Sequence, residues 1–162
     1  MAQMTTRAKL YNELENILNS YKNGTIVPVL ARKSLGRIVR RLSSYVTPVD
    51  DVIFETYWSN AAAANFPKRA NTEVDHAIPV ATIVEDLMFE TLRPQGSVKG
   101  ALVVIGYSYL LVRVTQTEHK NLSRASMPAC WKESNEDAWK ARYISANISV
   151  DFRENNRKLV SI

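Results

Sequence analysis

Apolar side chains recur at helical spacing through the first 45 residues of the chain, and this spacing restricts that part to amphipathic helices. A first helix is predicted to begin after Thr5 or Thr6 as its cap and to end at Asn23-Gly24. Its apolar face consists of Leu10, Tyr11, Leu14, Ile17, Leu18 and Tyr21. A second helix is predicted from about Pro28 to Tyr45, and its apolar face consists of Leu35, Ile38, Val39 and Leu42.

A third helix is predicted to begin at Thr47. Thr47 can cap the helix, Pro48 fits its first turn, and two acidic residues then lie near the positive end of the helix dipole. The helix should carry the alanines 61–64 and end before Pro67, and its other apolar residues are Val52, Ile53, Phe54, Tyr57 and Trp58. The first 66 residues are therefore expected to form a helical part of a single domain that spans residues 1–162.

The pattern changes after Pro67. Residues 72–78 alternate in polarity and predict a short strand. Pro79 then opens a helix that ends before Pro94. The stretch from Val98 to Thr115 has two interpretations. It is either a buried helix followed by a strand at residues 110–114, or a hairpin that turns at residues 106–108.

The last third of the chain begins with a capping box, Thr115-Gln-Thr-Glu118, which predicts the start of a helix containing His119. Ser134 to Ala146 predicts another helix, with Trp139 and Tyr143 on one face. Residues 148–150 are expected to form a last short strand, and residues 151–162 a loosely held tail. Together these elements predict an α+β fold rich in helices.

The composition narrows the class of protein. Apolar residues make up 46% and charged residues 23%, as in ordinary globular domains. The longest apolar run, Ala101 to Ile105, is too short to cross a bilayer, and the N-terminal residues lack the apolar segment of a signal peptide. Cys130 is the only cysteine, which excludes an internal disulfide and a cysteine-based zinc cluster. A cytoplasmic protein is expected, located in the cytoplasm of its own cell or of a host cell.

Basic residues outnumber acidic ones by 21 to 16, which gives a net charge of +5 and favours anionic partners, with nucleic acid first among them. Part of this charge falls on one side of the second predicted helix, as a stripe of Lys33, Arg37, Arg40 and Arg41. Lys68 and Arg69 precede the first predicted strand. These residues are candidates for contacts with phosphates, and the alternative interpretation is an ordinary solvated surface.

The chain has no glycine-rich phosphate loop, nucleophile elbow or HExxH motif, and it has only two histidines, His76 and His119. The segment Asp75-His-Ala-Ile-Pro79 resembles the first strand of the HNH (ββα-metal) nucleases. Residues 111–119, ending in Glu118-His119, resemble their second strand and metal-binding helix. The resemblance covers residues 72–150, so that residues 67–150 would form an HNH-like core. A weaker resemblance to small phage-associated proteins with this core rests on Ser126-Met-Pro128, Trp139, Ala141-Arg-Tyr143 and Ile148.

The resemblance implies a role for each matching residue. His76 would be the general base that activates water, and Asp75 and His119 would bind one divalent cation, Mg²⁺ or Mn²⁺. The asparagine that gives the family its name has no clear counterpart here, and the two histidines are far enough apart to require an inserted helix. Two functions therefore stay open. One is cleavage of nucleic acid, and the other is a non-catalytic phage-type protein that binds nucleic acid or inhibits a host protein.

Overall fold

A computed structural model describes residues 6–43, 56–108, 110–122, 127–129, 131–133 and 138–154. Its helices are α1 (Thr6–Lys22), α2 (Pro28–Ser43), α3 (Asn60–Ala63), α4 (Val80–Leu92), α5 (Val98–Ser108), α6 (Gln116–Asn121) and α7 (Ala141–Ser145). Short 3₁₀ turns span Trp131–Glu133 and Ala138–Lys140. The strands are β1 (Thr56–Trp58), β2 (Thr72–His76), β3 (Leu111–Thr115) and β4 (Phe152–Glu154). The α+β fold class is confirmed. Within these ranges, no helix is both long and apolar enough to cross a membrane.

The chain divides into two compact units, and each unit is built from two separate stretches of sequence. The helical unit consists of Met1–Thr47 and Val80–Tyr107, and the sheet unit consists of Pro48–Pro79 and Ser108–Ile162. The segment 80–107, which the sequence placed within the nuclease-like core, therefore belongs with the N-terminal helices. It lies between β2 and β3 along the chain and supplies the expected helical insertion, as the two helices α4 and α5.

In the helical unit, α2 packs against both α1 and α4. The first two helices are confirmed, because the apolar faces read from the sequence are the faces that the fold buries. The buried side chains are Leu10, Leu14 and Leu18 of α1, Leu35, Ile38, Val39 and Leu42 of α2, and Ile83, Val84, Leu87 and Met88 of α4. Gly24 has a φ of 70°, a left-handed conformation that favours glycine, and it ends α1 as expected. On the surface, Arg32 and Glu85 join α2 to α4 through an ion pair of 2.6 Å.

The sheet unit contains a four-stranded sheet in the order β2-β3-β1-β4. β3 pairs antiparallel with β2 and parallel with β1, and β4 pairs antiparallel with β1. Trp58 is fully buried on one face, where its ring meets Phe66 at 5.2 Å and Phe152 at 6.5 Å. On the other face, Tyr57 contacts Trp139 with ring centres 4.7 Å apart. Aromatic contacts on both faces therefore fix β1 in the middle of the sheet.

The predicted third helix is wrong where the structure describes it. Residues 47–55 lie outside the described residues, and Thr56–Trp58 form β1 instead of a helix. Tyr57 and Trp58 contact aromatic partners on opposite faces of the sheet, which only the alternation of a strand allows. A continuous apolar run does not distinguish a buried strand from a helix, so the local pattern was ambiguous. Only the alanines retain helical structure, as the short helix α3.

Of three other predicted segments, the first is as predicted, the second agrees where it is described, and the third is wrong. The stretch 98–115 is the helix α5 followed by the strand β3, the first of its two interpretations. Residues 138–145 are helical, as a 3₁₀ turn and then α7, whereas residues 134–137 lie outside the described residues. The strand predicted at 148–150 is wrong, because the last strand is Phe152–Glu154, within the supposed tail. Ile148 and Val150 are buried and Ser149 between them is exposed, which gives the alternation typical of a strand. The backbone of these residues is nevertheless not part of the sheet.

Candidate functional site

Strands β2 and β3 form an antiparallel pair, and helix α6 follows β3 without a linker. The pairing runs from Thr72 opposite Thr115 to His76 opposite Leu111, so the start of α6 lies next to the start of β2. The backbone N–H of Gln116 donates to the carbonyl oxygen of Asn71 at 3.1 Å. Asn71 has a φ of 58°, a conformation that asparagine tolerates better than most residues. This hydrogen bond fixes the first turn of α6 beside β2.

The carboxylate of Glu118 fixes the orientation of α6. It accepts hydrogen bonds from the backbone N–H of Thr115 at 2.8 Å and from the Thr115 hydroxyl at 2.9 Å. The Thr115 hydroxyl in turn accepts from the backbone N–H of Glu118, which confirms the predicted capping box. The same carboxylate accepts from the hydroxyl of Ser59 at 2.6 Å, so the end of β1 is also joined to α6. The neighbouring residue, His119, is thereby held at a defined place over β2.

His119 lies between two carboxylates of β2. Its Nδ1 is 2.8 Å from Oε2 of Glu73, and its Nε2 is 3.8 Å from Oδ1 of Asp75. Glu73 and Asp75 are two residues apart, so both project from the same face of the strand. A carboxylate at Nδ1 accepts the proton of that nitrogen, so Nε2, the ring nitrogen nearer to Asp75, is the atom available to bind a cation.

Asp75 is held from its other side by two consecutive residues of α7. Its Oδ2 accepts a hydrogen bond from the Tyr143 hydroxyl at 2.7 Å and one from Nη1 of Arg142 at 3.2 Å. Burial raises the pKa of Tyr143 far above its usual range, and the adjacent charge and hydrogen bond of Asp75 raise it further. Tyr143 is therefore protonated at any working pH and acts as a donor. With Oδ2 occupied, Oδ1 is the oxygen that faces His119.

Asp75 and His119 lie close enough to share one small divalent cation, and binding to an octahedral ion would draw the two atoms from 3.8 Å to about 3 Å apart. Two atoms bound to one ion at about 2.0–2.2 Å each can lie no more than about 4.4 Å apart, and the observed separation is 3.8 Å. A carboxylate and an imidazole suit Mg²⁺ or Mn²⁺, which usually keep several water or phosphate ligands. Among the described residues, no group of three or more His, Cys, Asp or Glu side chains is arranged to hold a metal ion. A cation at this site would therefore have two protein ligands.

His76 is adjacent to Asp75 but belongs to the other face of β2. In an extended strand, neighbouring side chains point to opposite faces, and His76 shares its register position with Leu111 whereas Asp75 shares its position with Val112. The backbone of His76 is nevertheless tied to the site, because its carbonyl oxygen accepts from Nη1 of Arg142 at 2.7 Å. The role of His76 as a general base stays a prediction.

The basic residues fall into two groups, one in each unit. Lys33, Arg37, Arg40 and Arg41 are exposed along α2, opposite its buried apolar face, as the sequence predicted. Arg40 also donates to the carbonyl oxygen of Gly36 at 3.4 Å. Lys68 and Arg69 are exposed in the sheet unit, just before β2. Both groups are accessible to a polyanion, and their role in binding stays a prediction.

Four residues of the site were missed in the sequence: Ser59, Glu73, Arg142 and Tyr143. The alternation of residues 72–76 was a usable signal for Glu73, because it places Glu73 on the face of Asp75. Arg142 and Tyr143 lie more than 65 residues from Asp75 along the chain, and no local pattern links them to it. No protein-family model, curated protein or solved structure matches this chain. The chemistry of the site is therefore inferred from its own residues.

Proposed function

We propose that the sheet unit carries a metal-dependent nuclease site of the HNH (ββα-metal) type, which cleaves phosphodiester bonds of nucleic acid. The observation that supports this most is the 3.8 Å approach of Asp75 Oδ1 and His119 Nε2. One comes from the first strand of an antiparallel pair, and the other from the helix that directly follows the second strand. This is the order of elements and ligands that the resemblance to the family implies.

In this proposal each residue has a defined task. Asp75 and His119 hold Mg²⁺ or Mn²⁺, and Glu73 fixes the imidazole of His119 through Nδ1. When bound there, the cation would supply stabilisation of the negative charge that develops on the leaving oxygen of the phosphodiester. His76 takes a proton from the attacking water as general base. The exposed basic residues before β2, Lys68 and Arg69, bind phosphates of the substrate.

Binding of Mn²⁺ tests the metal site directly. We expect the wild-type protein to bind Mn²⁺, which electron paramagnetic resonance detects as a loss of the free-ion signal, and to cleave DNA or RNA in a reaction that chelator stops. His119→Ala removes one of the two proposed protein ligands. Loss of a residue that only supports a metal ligand usually weakens metal binding by about 10–100-fold, so His119→Ala should weaken Mn²⁺ binding by at least that factor. Lys120→Ala is the matched control, since Lys120 is the next residue of α6 and is exposed. A wild-type protein that neither binds Mn²⁺ nor cleaves would refute the proposal.

A second candidate function is that of a non-catalytic phage-type protein that binds nucleic acid or inhibits a host protein. It is favoured by the position of His76, which shares a strand with Asp75 but belongs to its opposite face. The exposed basic residues serve either function. Binding of DNA or RNA without cleavage in the presence of Mg²⁺ or Mn²⁺ would support this second candidate, and absence of both activities would favour a protein partner.

The basic stripe of α2 gives a separate prediction. Reversing two of its charges with Arg37→Glu and Arg40→Glu should weaken binding of nucleic acid and leave the protein folded, because both side chains are exposed. The slope of the logarithm of the binding constant against the logarithm of the salt concentration should become less negative. The change should be about 0.9 for each duplex phosphate that the protein no longer binds. Lys9→Glu with Lys99→Glu is the control, as it makes the same change of charge at exposed positions of α1 and α5. Equal losses of affinity in both double variants would show that only net charge matters.

A further inference from the structure

We propose that Arg142 and Tyr143 are positioning residues that make Asp75 a monodentate metal ligand and thereby favour Mg²⁺ and Mn²⁺ over Ca²⁺. The inference rests on the proposed metal site and adds to it the selection of the ion. Both residues touch the carboxylate of Asp75 on Oδ2, the oxygen that does not face His119. Neither residue is proposed to bind the cation itself.

Tyr143 is held rigidly enough to orient this carboxylate. Its side chain is fully buried, and its ring meets the edge of Trp139 with ring centres 6.2 Å apart. Trp139 is itself packed on Tyr57 of β1. The hydroxyl of Tyr143 therefore has a fixed position, from which it donates to Oδ2 of Asp75 at 2.7 Å. A short hydrogen bond from a buried donor to a carboxylate resists rotation of that carboxylate.

Arg142 restrains Asp75 relative to the strand itself. Its side chain is 3% exposed, and the same Nη1 atom lies 3.2 Å from Oδ2 of Asp75 and 2.7 Å from the carbonyl oxygen of His76. One guanidinium nitrogen thus bridges the side chain of Asp75 and the backbone of the next residue. Because a buried cation needs a nearby anion, Arg142 also opposes any movement of the carboxylate away from it.

The consequence concerns how many oxygens Asp75 can offer. Two donors already occupy Oδ2, so a cation between Asp75 and His119 would be bound through Oδ1 alone. Ca²⁺ takes six to eight oxygen ligands and often binds carboxylates through both oxygens, whereas Mg²⁺ is octahedral and is bound through few carboxylates. A single carboxylate oxygen with an imidazole nitrogen therefore suits Mg²⁺ or Mn²⁺ and is poor for Ca²⁺.

Tyr143→Phe tests this inference, because it removes the hydroxyl and keeps the buried ring. We expect Mn²⁺ affinity, measured by electron paramagnetic resonance, to fall by about 10–100-fold. Ca²⁺ affinity, measured by competition with Mn²⁺, should fall less. The ratio of Mn²⁺ affinity to Ca²⁺ affinity should therefore decrease. Thr91→Val is the matched control. It also removes a buried hydroxyl, one that donates to the carbonyl oxygen of Leu87 within α4 at 2.8 Å. It should leave both affinities unchanged.

Arg142→Lys provides a second variant, which keeps the positive charge but not the planar guanidinium. Like Tyr143→Phe, it should lower the affinity for Mn²⁺ and, to a smaller degree, the affinity for Ca²⁺. Circular dichroism and thermal melting report whether each variant is folded. A folded Tyr143→Phe protein with wild-type affinities and preference would overturn the inference and leave the metal site standing. If the wild-type protein binds no Mn²⁺, the proposed function and this inference both fail.

Discussion

Replacing His76 by alanine is expected to slow metal-dependent cleavage by about 10²–10⁴-fold, the usual contribution of a general base. The protein should remain folded, and its affinity for Mn²⁺ should change little, because His76 is not one of the two proposed ligands. Single-turnover cleavage at saturating Mn²⁺ measures the rate of the chemical step without a contribution from product release. An effect of this size on the rate alone would identify His76 as the base.

Val74→Ala is the control for this experiment. Val74 lies two residues before His76, on the same face of β2, and its side chain is 41% exposed. It should therefore report any general loss of order in the strand without loss of a titratable group. A His76→Ala protein that cleaves at the wild-type rate would show that the base lies elsewhere. That outcome would agree with the strand geometry, which directs Asp75 and His76 to opposite faces.

Replacing Asp75 by alanine is expected to lower the free energy of unfolding by about 3–5 kcal/mol, even when no metal is present. The cause is Arg142, whose side chain is 3% exposed and would lose its carboxylate partner at 3.2 Å. The Tyr143 hydroxyl would lose its acceptor in the same change. Equilibrium unfolding in urea, with chelator present, measures the loss. A change below about 1 kcal/mol, the usual range for a surface ion pair, would show that the pair is not essential to the fold.

Two further variants separate the structural role of Asp75 from its proposed role as a ligand. Asp75→Leu combined with Arg142→Met removes both partners, and replacement of a buried ion pair by apolar residues is often neutral. This double variant should recover part of the lost stability, because no unpaired buried charge remains but the Tyr143 hydroxyl still lacks its acceptor, and it should bind no Mn²⁺. His119→Ala should do the reverse, with weak metal binding and a smaller loss of stability, since the Glu73 carboxylate that it leaves without a partner is 46% exposed to water. A loss of cleavage in Asp75→Ala is therefore interpretable only beside these variants.

In the helical unit, local sequence patterns were sufficient to predict the first two helices and their buried faces. Leu14 and Leu18 of α1, and Leu35 and Ile38 of α2, lie at helical spacing, and all four are buried. The capping box at Thr115 was equally local, because its two partners are three residues apart. Such features were predictable because one turn of helix brings all the groups involved together.

The strands were harder to predict because their partners are distant in sequence. β1 is three residues long and pairs with Leu111–Arg113 on one side and with Phe152–Glu154 on the other. Nothing near Thr56 indicates either partner, and its apolar neighbours fit a helix equally well. The last strand was misplaced for a related cause. Burial of Ile148 and Val150 gives the alternation of a strand, but the pairing with β1 begins only after Val150, at Phe152.

The candidate site combines both kinds of information. The residues Asp75, His76 and His119 and the start of α6 were readable from the chain, because each belongs to a short motif. Their arrangement required the pairing of β2 with β3 across two intervening helices, which brings Asp75 and His119 to 3.8 Å. The contacts of Arg142 and Tyr143 with Asp75 likewise exist only once α7 packs on the sheet. The sequence by itself determines which functional groups the chain carries and on which short elements they lie. The distance between two of these groups is decided by strand pairing and packing, which involve residues far apart in the chain.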